Sequence, residues 1–151
     1  MLYRFNFKFL NMKRYVLISA VIMFIALTSA VYSVDFENNT ISGLNITTDV
    51  DGAFDISQNE NKTLAIIFDQ DSCVYCEMLK DDVLSNPEVQ KQLNENFVVV
   101  LVDINKNPEI AAKYDVYGTP TVQFVDSNGQ EINKIEGFVD SNEFLQTLKE
   151  I

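Results

Sequence analysis

The sequence predicts one α/β domain, a small mixed β-sheet with helices on both faces, preceded by an N-terminal apolar segment. Three observations lead there. Two continuous apolar runs, "TLAIIF" (Thr63–Phe68) and "FVVVLVDI" (Phe97–Ile104), have strand length and no polar face, which suits strands buried on both sides. Stretches with apolar residues at helical spacing lie before, between and after them. Near the C-terminus, Ser127-Asn128-Gly129 separates two strand-like stretches, Thr121–Val125 and Glu131–Ile135, and Asn-Gly in that setting is a strong hairpin signal.

Residues 1–34 differ from the rest. They carry Arg4, Lys8, Lys13 and Arg14 and no acidic residue, and Val16–Val34 then runs 19 residues without a charge. A basic flank before an apolar run is the layout of a secretory signal or an N-terminal membrane anchor helix. Nineteen residues is near the lower limit for spanning a bilayer. The most apolar part, Val16–Leu27, has signal-peptide length, and Ser29, Ala30 and Ser33 are small enough for a cleavage site. Cleaved signal and retained anchor both stay open. Met12 opens a complete signal pattern by itself, so Met1 and Met12 are alternative starts. The missing polar face and the basic flank argue against a buried core helix.

Residues 35–43 read as a polar linker, and the folded domain is expected over 44–151. Asn38, Asn45 and Asn61 each head an N-x-[ST] sequon, a pattern that also arises by chance. "NIT" at Asn45 suits a short strand. Val50–Gln58 follows as a short helix with Val50, Phe54 and Ile56 inward, weakened by Gly52. After strand Thr63–Phe68, a helix runs from Cys73 with Met78, Leu79, Val83 and Leu84 on its apolar side. Pro87 and Pro108 each suit the first turn of a further helix, "PEVQKQLNEN" and Pro108–Tyr114, the latter with Ile110 and Ala111 inward. The last helix has Asp140 as its cap, Glu143 three residues on, and Phe144, Leu145 and Leu148 on one face. The order is (β)αβαβαββα. Strands separated by helices are expected to be parallel neighbours, with the final hairpin antiparallel.

All 22 acidic residues and only 7 of the 11 basic ones lie from Asp35 onward, a formal charge of −15. That excludes the basic footprint nucleic-acid binding needs. Positive charge at the N-terminus and an acidic domain beyond the apolar run agree with export, and hence with a compartment where disulfides persist.

The chain has two cysteines, Cys73 and Cys76, and no histidine. Zinc asks for four ligands, mostly cysteine and histidine, so this set does not make a metal site by itself. A disulfide across so short a loop removes little unfolded-state entropy and is a poor staple. A strand-to-helix junction instead places Cys73 at a helix N-terminus, where free N–H groups stabilise a thiolate. Cys76 then lies one turn into the helix, placed to resolve a mixed disulfide. In "YGTPT", Pro120 stands at the entrance of a strand, a position that tolerates proline in either isomer.

Taken together, "CVYCEMLKDDVL", the later "NPEV", "AAKYDVYGTPTVQFVDSNG" and the closing helix resemble the thioredoxin superfamily, over about residues 44–151. They are most similar to exported thioredoxin-like thiol–disulfide oxidoreductases. The resemblance implies Cys73 as nucleophile, Cys76 as resolving cysteine and Pro120 as a cis-proline beside their disulfide. It implies that Thr119 offers backbone hydrogen bonds to an extended client segment, that Gly118 keeps that approach open, and that Val74 and Tyr75 tune the cysteines and border the client. The redox-active disulfide is then the only electron carrier, with no other cofactor. The implied partners are a thiol or disulfide client protein and a membrane electron donor, and the chain is expected to act as a monomer.

Three positions depart from cytosolic thioredoxins. Their buried aspartate before the motif is Ile67 here, its lysine partner is Leu101, and the tryptophan before the first cysteine is Ser72. Asp69 is the nearest replacement carboxylate, with a solvated loop position as its simplest reading. Asp69, Asp71 and Glu77 surround the cysteines in sequence, and Lys80 is the nearest base. Negative neighbours oppose a thiolate and so favour a reducing couple. The expectation is an extracytoplasmic reductase or isomerase, with a disulfide-forming oxidase or a non-catalytic binding module as alternatives.

Overall fold

The computed structural model describes residues 41–151; the apolar N-terminal segment and Asn38 lie outside them. Five strands and five α-helices are described; they follow the expected order, with two helices rather than one between the second and third strands. Strand β1 is Ile46–Thr47, helix α1 Val50–Glu60 and β2 Thr63–Asp69. Helix α2, Val74–Met78, runs on into a π-helical turn, Leu79–Leu84, followed by α3, Pro87–Asn96. Then come β3 Phe97–Asp103, α4 Pro108–Lys113, β4 Thr121–Val125, β5 Glu131–Glu136 and α5 Ser141–Glu150. Among the described residues, no helix is long and apolar enough to cross a membrane.

Local chemistry sets most of the helix ends. Asp49 Oδ1 accepts the Gly52 N–H at 3.0 Å, Asn86 Oδ1 accepts that of Glu88 at 2.9 Å, and Asp140 Oδ1 accepts those of Asn142 and Glu143 at 2.8 and 3.0 Å. Each satisfies N–H groups that a first helical turn leaves unpaired. Pro87 and Pro108 open α3 and α4, where no N–H is needed.

The sheet order is β1-β3-β2-β4-β5. Its two faces carry separate cores. On one, Ile67, Val99, Val122 and Phe124 meet Leu79, Val83 and Leu84 of the π turn, Leu93 of α3 and Phe144 of α5. On the other, Leu64, Ile66, Phe68, Val100 and Val102 meet Ala53 of α1 and Ala111 and Tyr114 at α4. Period-two alternation in β2 thus sends side chains to opposite cores, which is why the whole run is apolar. Ile41 and Leu44 belong to the first core, and Asn94 of α3 donates to the Gly43 carbonyl at 2.8 Å.

Three expectations are corrected. The inward face of α1 is Val50, Ala53, Phe54 and Ser57, while Ile56 stands at the edge, half-buried. The small Ala53 and the hydroxyl of Ser57, which donates to the Lys62 carbonyl at 2.6 Å, fit the close approach of α1 to the sheet better than a larger side chain. Secondly, the helix after Cys73 widens: Ser85 N–H donates to the Lys80 carbonyl at 3.0 Å, five residues back. Leu79, Val83 and Leu84 are buried from that wider turn.

Thirdly, β1, β3 and β2 are parallel, but β4 runs antiparallel to β2 although a helix precedes it. Helix length explains this. Six residues of α4 rise about 9 Å, against about 23 Å for the seven residues of β3. So short a helix does not by itself carry the chain back to the end where β2 and β3 begin. Strand β4 therefore starts at the end where β2 and β3 stop, with Thr121 paired to Phe68. That end holds the cysteines.

Candidate redox site

Ser72, just before Cys73, takes the left-handed conformation (φ 65°) and turns the chain from β2 into α2. Cys73 is then the N-cap residue, and its carbonyl accepts the N–H groups of Cys76 and Glu77, both at 3.1 Å. Its Sγ accepts the Cys76 N–H at 3.1 Å. A backbone donor aimed at this sulfur would also meet a thiolate on it and stabilise it by a hydrogen bond. The two cysteines form a disulfide. Cys76 is 1% exposed and Cys73 8%, so both residues are buried and Cys73 is the less enclosed of the two.

The antiparallel return of β4 brings the second half of the site. Thr119-Pro120 is a cis peptide, and Pro120 is buried. The Thr119 hydroxyl donates to Cys73 Sγ at 3.5 Å, and the Thr119 carbonyl oxygen lies 3.6 Å from the same sulfur. The disulfide sulfur has no proton to give that carbonyl; a reduced Cys73 thiol would have one. The loop is pinned from several sides. Thr121 Oγ1 donates to the Gly118 carbonyl at 2.8 Å, Gly137 N–H to the Pro120 carbonyl at 2.8 Å, and Lys134 Nζ to the Asp115 carbonyl at 3.0 Å.

The two side chains between the cysteines are apolar and exposed. Val74 is 71% exposed and Tyr75 60%. A Cβ built on Gly118 would meet no protein atom within 4 Å, so the room beside it is open rather than filled by the fold. Sequence reasoning missed Tyr117, the most exposed large apolar side chain of the described residues at 90%, whose hydroxyl donates to Asp115 at 3.2 Å. It stands two residues before Thr119, but nothing periodic marks it.

Asp69 is not a solvated loop carboxylate. It ends β2 in register with Asp103 of β3, and its side chain is 14% exposed and paired with Lys80. Lys80 Nζ also binds Glu77 at 3.1 Å. Partial burial works to lower the Lys80 pKa, but hydrogen bonds to Asp69 and Glu77 outweigh it and hold it above its usual value. Two of the three carboxylates near the cysteines thus share a cation, which weakens their opposition to a thiolate. Among the described residues, no group of three or more metal-ligating side chains gathers at one point.

The geometry can be set beside known proteins. A family model described as "Thioredoxin-like domain" matches residues 50–151. The chain belongs to the thioredoxin-like family. It is 32% identical over 101 residues, 64% of its length, to the thiol:disulfide interchange protein DsbD of Photorhabdus laumondii, of which that region is 18%. The chain thus spans less than a fifth of the length of these curated relatives. Among solved structures, a thioredoxin from Thermus thermophilus aligns with a TM-score of 0.64 and 28% identity, covering 72% of this chain and 86% of that one. The reduced C-terminal domain of Neisseria meningitidis DsbD aligns with a TM-score of 0.57 and 26% identity, covering 66% and 91%. With its cysteines paired, residues 50–151 form a thioredoxin-like thiol–disulfide oxidoreductase domain.

Proposed function

We propose that the protein reduces or isomerises disulfides of exported client proteins, outside the cytoplasm, through a mixed disulfide. Cys73 attacks the client disulfide, and Cys76 then attacks Cys73 and frees the reduced client. The client lies extended along Thr119, with main-chain pairing giving affinity, Gly118 leaving it room, and Val74 and Tyr75 bordering it. The Cys73–Cys76 pair carries the electrons without another cofactor, and a membrane protein resupplies them. The chain acts as a monomer, held at the membrane by residues 1–34 or released after their cleavage. The basic-then-apolar N-terminus and the acidic domain support this compartment.

One observation carries the reading: a cysteine disulfide at a helix start whose outer sulfur touches both the hydroxyl and the carbonyl of Thr119, 46 residues away. An inert staple needs no such partner. The test is to equilibrate the full chain in glutathione or dithiothreitol buffers and read the oxidised fraction by thiol labelling. A midpoint near about −270 mV is expected for a reductase. A midpoint near about −120 mV would make it an oxidase, the reading favoured by Lys80 neutralising two nearby carboxylates. No exchange at all would leave a thioredoxin-fold binding module.

A further inference from the structure

The resolving step raises a problem that the outer half of the site does not answer. Cys76 must lose its proton before its sulfur attacks, because the thiolate is the nucleophile. Yet Cys76 is 1% exposed, so bulk water has little access to it, and burial disfavours the charged form. A base has to be built in nearby.

Cys76 shares a shallow depression with Pro120, Asp69 and Lys80, and its remaining walls are apolar. Asp69 and Lys80 are the only other titratable side chains lining it. They come from different elements, Asp69 from the end of β2 and Lys80 from the turn after α2, four residues beyond Cys76. They are paired with each other, and both are mostly shielded, at 14% and 19% exposure. The neighbouring charges on the packed elements have other engagements or point outward. Glu77 is 64% exposed and shares Lys80, Asp103 is held by Lys106 at 3.0 Å, and Asp71 is exposed.

Resting on the thiol–disulfide exchange proposed above, we propose that the Asp69–Lys80 ion pair is the proton acceptor for Cys76 in the resolving step. The Cys76 thiol gives its proton to the Asp69 carboxylate. The electron pair left on sulfur forms the bond to Cys73 Sγ, the bond between Cys73 and the client sulfur breaks, and the client leaves as a thiolate. That thiolate takes up a proton, and Asp69 returns its own to solvent.

The test uses the reduced full chain and 5,5′-dithiobis(2-nitrobenzoate) under stopped flow. Attack by Cys73 releases one coloured thiolate, and resolution by Cys76 releases a second. In Asp69→Asn the second phase should slow by about 100-fold at pH 7 and recover as pH rises, while the first phase stays within about twofold. Lys80→Met should slow the second phase in the same sense. Glu77→Gln, which leaves the Asp69–Lys80 pair intact, should change neither phase. A second phase in Asp69→Asn with wild-type rate and pH profile would overturn the proposal. So would an equal slowing of both phases, since that marks general damage. Absence of colour release from folded wild-type protein would instead sink the exchange reading on which the proposal stands.

Discussion

The two sulfurs of this disulfide belong to the same residue type, three positions apart, yet they sit in unlike surroundings. Cys73 lies at a rim beneath exposed Val74 and Tyr75 and against the Thr119 loop. Cys76 lies behind it, enclosed by Leu79 and Pro120 and by the Asp69–Lys80 pair. In the proposed exchange, position in the fold rather than cysteine chemistry divides their labour. Cys73 keeps 8% of its surface exposed and Cys76 1%.

The strongest way to break this comparison is to remove each sulfur in turn. Cys73→Ser should abolish client reduction and leave no covalent adduct. Cys76→Ser should abolish turnover but accumulate a client adduct on Cys73, seen as a shifted band on a non-reducing gel. Equal adduct formation by both variants would mean that burial does not assign the roles. A second test compares packing on the two sides. Leu79 is 1% exposed and packs beneath Cys76, so Leu79→Ala should destabilise the domain by about 3 kcal/mol in denaturant titration. Val74→Ala at the rim should stay within about 0.5 kcal/mol.

The smallest effect concerns the ion pair and is read by pH. The Lys80 pKa in the folded state is raised above its reference value of 10.5, so its contribution to stability is fully present below about that pH. It is lost as pH rises through the folded value. The oxidised wild type should therefore lose its stability advantage over Lys80→Met above pH 10.5. At these exposures the difference should be below about 1 kcal/mol in urea midpoints at pH 8 and 11. An advantage that persisted unchanged at pH 11 would show that the pair does not couple to the fold.

Much of this architecture was legible because it is local. The apolar runs of β2 and β3, Asn128-Gly129, Pro87, Pro108 and the Asp140 cap each act within a few residues, and each does what its chemistry requires. The cysteine pair at a helix start and the proline at the head of a strand were legible for the same reason. What escaped is non-local. The direction of β4 depends on how far six residues of helix carry the chain. The burial of Asp69 depends on a lysine from another element, and the widened turn at Leu79–Leu84 keeps a helical spacing in sequence. Neither Ala53 nor Ser57 outranks Ile56 on a hydropathy scale, but the space beneath α1 selects the smaller side chains.

The reversal of β4 has a consequence for the energetics of electron storage. Since Thr119 meets Cys73 only in the assembled sheet, an unfolded chain is an ordinary dithiol with an ordinary potential. Folding, oxidation, unfolding and reduction then close a thermodynamic cycle. Any difference between the potential of the folded site and that of the unfolded chain must reappear as a difference in stability between the oxidised and reduced proteins. Each 30 mV corresponds to about 1.4 kcal/mol for a two-electron couple. Two denaturation curves, one with the disulfide closed and one with it open, would therefore report which way this protein tends to pass electrons, with no client in the tube.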